Sequence, residues 1–117
     1  MSESASADCL FCVILSGAVP ADVVAQSEHS LAFRDIDPKA PTHVLVIPRR
    51  HVPDLAALAA ASPDELADAV ALAAAVAAGD DLAGYRMVAN TGAAAQQSVF
   101  HAHVHVLGGR ELTWPPG

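Results

Sequence analysis

Between Ser98 and Leu107 the chain sets histidine at every second position, His101, His103 and His105, with Phe100, Ala102, Val104 and Val106 around and between them. A period of two belongs to a β-strand, whose successive side chains point to opposite faces. The stretch therefore predicts a strand with one apolar face on the core and a row of imidazoles on the other. A purification tag is consecutive and terminal, and this pattern is neither. A solvated strand face mixes Lys, Glu and Thr. A metal-binding row is the stronger competitor, because His-x-His on a strand can chelate. At about 3.3 Å rise per residue, however, His101 and His105 stand on the order of 13 Å apart along a strand. Three rings spread that far do not close on one ion with bonds of about 2 Å. Imidazole accepts, donates or carries a group near neutral pH, so the row reads as a working site for something of the size and charge of a phosphate.

The 117 residues make one domain. Hydrophobic content is 53%, but 26 residues are alanine, so the core is built from small side chains. No apolar run approaches the roughly 20 residues that span a bilayer. Met1 to Asp8 is small and acidic rather than basic then apolar, so it is no signal peptide. Residues 1–7 are expected to be a disordered tail, residues 8–117 the domain, and the protein cytoplasmic. A net charge of −7 with six Lys and Arg excludes a nucleic-acid surface, which needs clustered cations.

Asp8 is the candidate N-cap of a short helix to about Ser16, stopped by Gly17. Inside it, Cys9-Leu10-Phe11-Cys12 reads as a redox pair, as two ligands of a tetrahedral zinc, or as buried thiols. By residue type alone His43, His51 and His101 could complete a zinc site. Asp22–Gln26 and Ser30–Arg34 form a hairpin with His29 solvated in its turn. Thr42–Pro48 is a β-branched strand ended by Pro48. Ser62-Pro63-Asp64-Glu65 carries N-cap, first-turn proline and capping box of a helix to about Ala78. Its expected buried stripe is Leu66, Ala69, Val70, Ala73 and Ala77. Tyr85–Asn90 is a further strand. Thr91–Gln97 is a loop whose amides and glycine suit a phosphate cradle; the same composition describes a surface turn. Gly108-Gly109 allows a sharp turn, and the tail's Trp114, the one tryptophan, is expected to pack on something, a second subunit included. The elements sum to an α+β domain with about five mostly antiparallel strands, one main helix and a short N-terminal helix.

His101-Ala102-His103-Val104-His105-Val106-Leu107 resembles the His-φ-His-φ-His-φ-φ signature of the histidine triad (HIT) superfamily of nucleotide hydrolases and transferases. Leu31 to Ile36, Ala40-Pro41-Thr42-His43, Leu45 to Pro48, and Gly108-Gly109-Arg110 through Trp114-Pro115-Pro116-Gly117 resemble its Hint branch. The likeness covers about residues 8 to 117. It implies a homodimer whose two five-stranded sheets join, binding a purine nucleotide by its α-phosphate. His103 would attack phosphorus and form a nucleotidyl-histidine that water hydrolyses, splitting one hard displacement into two easier ones. His105 and His43 would flank the phosphate, and Ser98 would bond the leaving group. Asn90 would bond a phosphate or ribose oxygen and Asp35 the ribose hydroxyls. Phe11, Phe33, Ile36 and Leu45 would line the base pocket, and Gln96 and Gln97 would belong to the phosphate loop.

Two features depart from or qualify that pattern. The family carries Gly-Gln-Ser where this chain has Gln96-Gln97-Ser98, so Gln96 is expected to restrict backbone approach to phosphate. Animal Hint proteins lack the Cys pair, whereas many bacterial members carry it and bind structural zinc. That likeness implies Cys9, Cys12, His51 and His101 as zinc ligands, makes His101 structural, and calls for no cofactor in the reaction itself. The leading expectation is hydrolysis of the P–N bond in purine nucleoside phosphoramidates, with aminoacyl adenylates as further substrates. The alternatives are dinucleoside polyphosphate hydrolysis by the same nucleophile, a non-catalytic nucleotide-binding scaffold, and a metal-dependent hydrolase.

Overall fold

The computed structural model describes residues 8–117, so the tail expected over residues 1–7 lies outside it. In chain order the elements are α1 (Leu10–Ser16), β1 (Val23–Gln26), β2 (Ser30–Arg34), β3 (Thr42–Pro48), α2 (Leu55–Ala61), α3 (Pro63–Gly79), β4 (Tyr85–Val88) and β5 (Val104–Gly108). The five strands form one antiparallel sheet in the order β1-β2-β3-β5-β4.

β3 is central and buried along its whole length. Its alternation divides the core in two. Val44 and Val46 join Ala32 of β2 and Val106 of β5 beneath Ala69, Leu72, Ala73, Val76 and Ala77 of α3. Leu45 and Ile47 point the other way and pack with Leu31, Phe33, Cys9, Phe11 and Cys12 under α1. Small residues on α3 let its axis lie close to the sheet. The expected stripe needs correction: Val70 is exposed and Leu66 only half-buried, while Leu72 and Val76 are buried.

Helix ends follow local chemistry. Cys9, not Asp8, is the N-cap of α1, its Sγ accepting from the Cys12 N–H at 3.4 Å, and Gly17 closes the helix in the left-handed region. Ser62 caps α3 as expected, accepting from the Glu65 N–H at 3.2 Å. The reciprocal half of the capping box is replaced by an ion pair, because the Glu65 carboxylate takes Arg50 Nε and Nη2 at 2.9 and 2.8 Å. At the far end of α3, Asp80 accepts from both Arg34 Nη atoms at 3.1 Å and from Thr42 Oγ at 2.7 Å, tying the helix to β2 and β3. Gly109 has φ +90°, and a Cβ there would stand 2.8 Å from Pro41, so the turn after β5 requires glycine.

The histidine stretch is a strand only from Val104. Before it the Ala102 N–H leaves the sheet and donates to the Val52 carbonyl at 2.8 Å. Ala102, Val104 and Val106 are buried as the alternation requires, but Phe100 is 52% exposed. Trp114 meets the Arg86 guanidinium 5.7 Å above its ring yet remains 80% exposed.

Candidate active site

His105 and Leu45 are paired across β5 and β3, and Leu45 pairs with Phe33 of β2, so these side chains share the α1 face of the sheet. His43, two residues before Leu45, reaches diagonally to the same face. Its Nε2 lies 2.9 Å from His105 Nδ1, and 3.5 Å from an Asp35 carboxylate oxygen. The protons follow from the partners. The Lys39 N–H donates to His43 Nδ1 at 3.0 Å, so a neutral His43 carries its proton on Nε2. That N–H donates to His105 Nδ1, which leaves the His105 proton on Nε2. His103 donates from Nδ1 to the His101 carbonyl at 2.7 Å, so its Nε2 keeps the lone pair. One ring of the pair thus offers a nucleophile, its neighbour 5.1 Å away a donor.

Burial favours the neutral form of His105 and His43. It pushes His105 down to about 4, with the neighbouring His103 and His43 adding to the effect. It lowers His43 as well, against the opposing pull of the Asp35 carboxylate.

A cavity of about 420 Å³ opens on His103, His105, Ser98 and Asp35, walled by Phe11, Phe33 and Leu45. Ile36 stands at its mouth, fully exposed. The ring of Phe11 meets His103 edge-on at 5.0 Å and Phe33 at 5.7 Å. Asn90, Gln96 and Gln97 do not line this cavity. The Gln97 amide is committed to backbone, accepting from the Gly92 N–H at 2.8 Å and donating to the Pro53 and Val99 carbonyls at 2.7 and 3.1 Å. It thereby fixes the loop that leads to Ser98. Gln96 sits in the left-handed region, with φ 71°. Ile14, Val19, Pro20 and Ala21 also line the cavity, beyond the residues the sequence predicts. Their signal was available, because an apolar connector such as Val19-Pro20-Ala21 has little reason to face water.

Behind this cavity His101 is fully buried and belongs to a different cluster. Its Nε2–H donates to the Pro48 carbonyl at 2.8 Å, so Nδ1 holds a lone pair. That nitrogen stands 3.4 Å from Cys9 Sγ, 3.6 Å from Cys12 Sγ and 3.2 Å from His51 Nδ1, and Cys12 Sγ stands 3.3 Å from His51 Nδ1. Zn–N and Zn–S bonds of about 2.0–2.3 Å give a tetrahedron edges of roughly 3.3–3.8 Å. Two thiols and two imidazole nitrogens at those separations fit one metal ion, and the Pro48 carbonyl supplies the outer hydrogen bond that orients such a ligand. Asp35, His43 and His105 also converge, but the proton on His43 Nε2 points into that group, which makes it a hydrogen-bond relay.

Residues 16–112 match the HIT domain family. The chain belongs to the HIT family. Among the relatives of this HIT protein, an uncharacterised HIT-like protein of Synechococcus elongatus is 44% identical over 113 residues, covering 96% of this chain and 99% of the relative. Among solved structures, a HIT family hydrolase from Legionella pneumophila superposes with a TM-score of 0.89 at 44% identity, over 94% of this chain and all of that one. A HIT family hydrolase from Clostridium thermocellum gives 0.88 at 36% identity, over 92% and 96%. The HIT fold expected from the triad is the fold observed, an antiparallel five-stranded sheet with helices on both faces. Among the described residues no helix is long and apolar enough to cross a membrane.

Proposed function

We propose that this HIT protein is a nucleoside phosphoramidase that acts through a nucleotidyl-His103 intermediate. The observation that carries the reading is the tautomer of His103. The His101 carbonyl takes the Nδ1 proton, which leaves Nε2 unprotonated on a ring that lines the cavity. Nε2 bonds to the α-phosphorus as the P–N bond breaks, and the electron pair leaves with the amine nitrogen, which takes up a proton through the Ser98 hydroxyl at the wall. Water then attacks the same phosphorus, releases a nucleoside monophosphate and restores the imidazole. His105 donates its Nε2–H to a phosphate oxygen, and His43 holds that tautomer in place through the 2.9 Å contact. With both rings neutral, charge is stabilised by aimed N–H dipoles rather than by a cation.

The apolar wall of Phe11, Phe33 and Leu45 suits a purine base, and Asp35 at the same cavity suits the vicinal hydroxyls of a ribose, for which a carboxylate is an acceptor. Cys9, Cys12, His51 and His101 would hold a structural zinc, which supplies cross-linking and no step of the reaction. A homodimer joined along β4 is proposed with this site, because β4 is a sheet edge with Tyr85 and Met87 exposed on it. The functional test is His103→Ala, which should abolish turnover of an adenosine phosphoramidate while nucleotide still binds. Unchanged hydrolysis in that variant would refute the nucleophile. A clear preference for a diadenosine polyphosphate over the phosphoramidate would reassign the substrate.

A further inference from the structure

Helix α1 serves both the cavity over His103 and the cysteine–histidine cluster. Leu10, Phe11 and Ile14 line the cavity, while Cys12 and the N-cap Cys9 offer two thiols to the cluster. The other two donors lie off the helix, His51 after β3 and His101 before β5. Resting on the reading of the cavity as a nucleotide site, we propose that metal binding at the cluster and purine nucleotide binding strengthen each other, because both need α1 docked, with Phe11 as the link. Phe11 lies between the two cysteines in the chain, and its ring is edge-on to His101 at 5.9 Å, to His103 at 5.0 Å and to Phe33 at 5.7 Å. Little else secures α1. It is seven residues long, and only Phe11 and Cys12 within it are buried. Helices shorter than about 12–15 residues are marginal on their own in water. No acidic side chain in the first turn or basic one in the last complements its dipole. His101 is fixed more firmly. Its ring donates to the Pro48 carbonyl at 2.8 Å, its own carbonyl accepts from His103 at 2.7 Å, and it is fully buried. The helix is therefore the side of the cluster that yields. An ion held by all four donors joins α1 to the chain flanking β3 and β5, and so raises the population in which Phe11 walls the cavity. A nucleotide in that cavity selects the same population, and by linkage tightens the metal in return.

The test is calorimetric titration of adenosine 5′-monophosphate into the full chain, chelated and zinc-loaded. Zinc should tighten the nucleotide about tenfold, within the usual range of coupling between sites. Competition against a chromogenic chelator should show saturating nucleotide tightening zinc by the same factor, as reciprocity demands. Phe11→Ala keeps all four donors and should still bind zinc, with the factor cut to about twofold or less. Phe11→Leu, which preserves an apolar contact, should fall between it and the wild type. In Cys12→Ser zinc should no longer change nucleotide affinity. The wild-type measurements decide the coupling even where Phe11→Ala fails to fold, and Phe11→Leu then tests the link. Equal nucleotide affinity with and without zinc, or no zinc bound at all, would overturn the proposal. So would a zinc effect that survives in Cys12→Ser, or a factor undiminished in both Phe11 variants. No nucleotide binding in either form would overturn the nucleotide reading and the coupling with it. Reciprocal coupling in a protein that turns over no phosphoramidate would refute the reaction and uphold the coupling.

Discussion

Burial lowers the titration of His105, and so makes this residue one source of the domain's pH dependence. Its folded value of about 4 lies below the ordinary imidazole value of 6.5. Above pH 6.5 both folded and unfolded chains hold the ring neutral, and its full contribution to stability is present. Between 6.5 and 4 the unfolded chain binds a proton that the folded chain refuses, so stability falls as pH falls, and the loss is complete below 4. Urea midpoints measured across this window should decline with acidity, and His105→Gln should flatten the decline. Gln96 offers a second test. Its φ of 71° is costly for a side chain with a Cβ, by about 1–2 kcal/mol, against a glycine entropy cost of about 0.5–1 kcal/mol. Gln96→Gly should therefore raise stability by about 0.5–1 kcal/mol, read as a higher urea midpoint at constant m-value. The departure from Gly-Gln-Ser was visible in the chain, but its consequence was not. Sequence suggested obstruction of phosphate, whereas the structure puts the cost in the backbone. The placement of the three triad histidines is similarly half legible. Alternation puts all three on one face, which holds for His103 and His105; nothing in the spacing says that His101 turns to meet His51, fifty positions away.

Elements formed where local signals agreed, and slipped where tertiary contacts decided. Ser62-Pro63-Asp64-Glu65 marked the start of α3 unambiguously, and the Thr42–Pro48 strand has the bounds its β-branched run suggested. Helix α2 is not among the elements the sequence predicts, although Asp54 caps it by accepting from the Ala57 N–H at 2.9 Å. Its Leu-Ala-Ala-Leu-Ala-Ala-Ala run carries too little contrast between faces to show a period. The β5 strand begins six residues later than the alternation predicts, because alternation reports which face a side chain takes and not whether its backbone is paired. Asp80 illustrates what sequence cannot reach, a carboxylate after α3 whose partners lie on β2 and β3. Hydrogen bonds from Arg34 and then Thr42 hold it well below the usual carboxylate range. Asp80→Ala should cost about 1–2 kcal/mol, the lower part of the range for charged hydrogen bonds because Arg34 is partly hydrated. Thermal unfolding measures it, and an unchanged midpoint would mean that the clamp contributes nothing net.

At the scale of the molecule, two histidine clusters adjoin under α1, and Phe11 touches both, 5.9 Å from the His101 ring and 5.0 Å from that of His103. The cysteine pair thus lies at the start of α1, over the face on which His103 and His105 stand. If the cluster holds zinc, adding the ion to chelated protein should raise the melting temperature by several degrees, because a ligand of the folded state alone stabilises by mass action. Cys12→Ser should abolish that rise. The same arrangement leaves His103 outside the Cys9–Cys12–His51–His101 cluster and bonded through Nδ1 to a carbonyl, on which the proposed chemistry depends. Its most direct test is intact-protein mass spectrometry after rapid quenching with an adenosine phosphoramidate, followed by peptide mapping. The expected result is one transient adenylate on His103, missing in His103→Ala. Turnover with no adduct, or an adduct on any other residue, would contradict it.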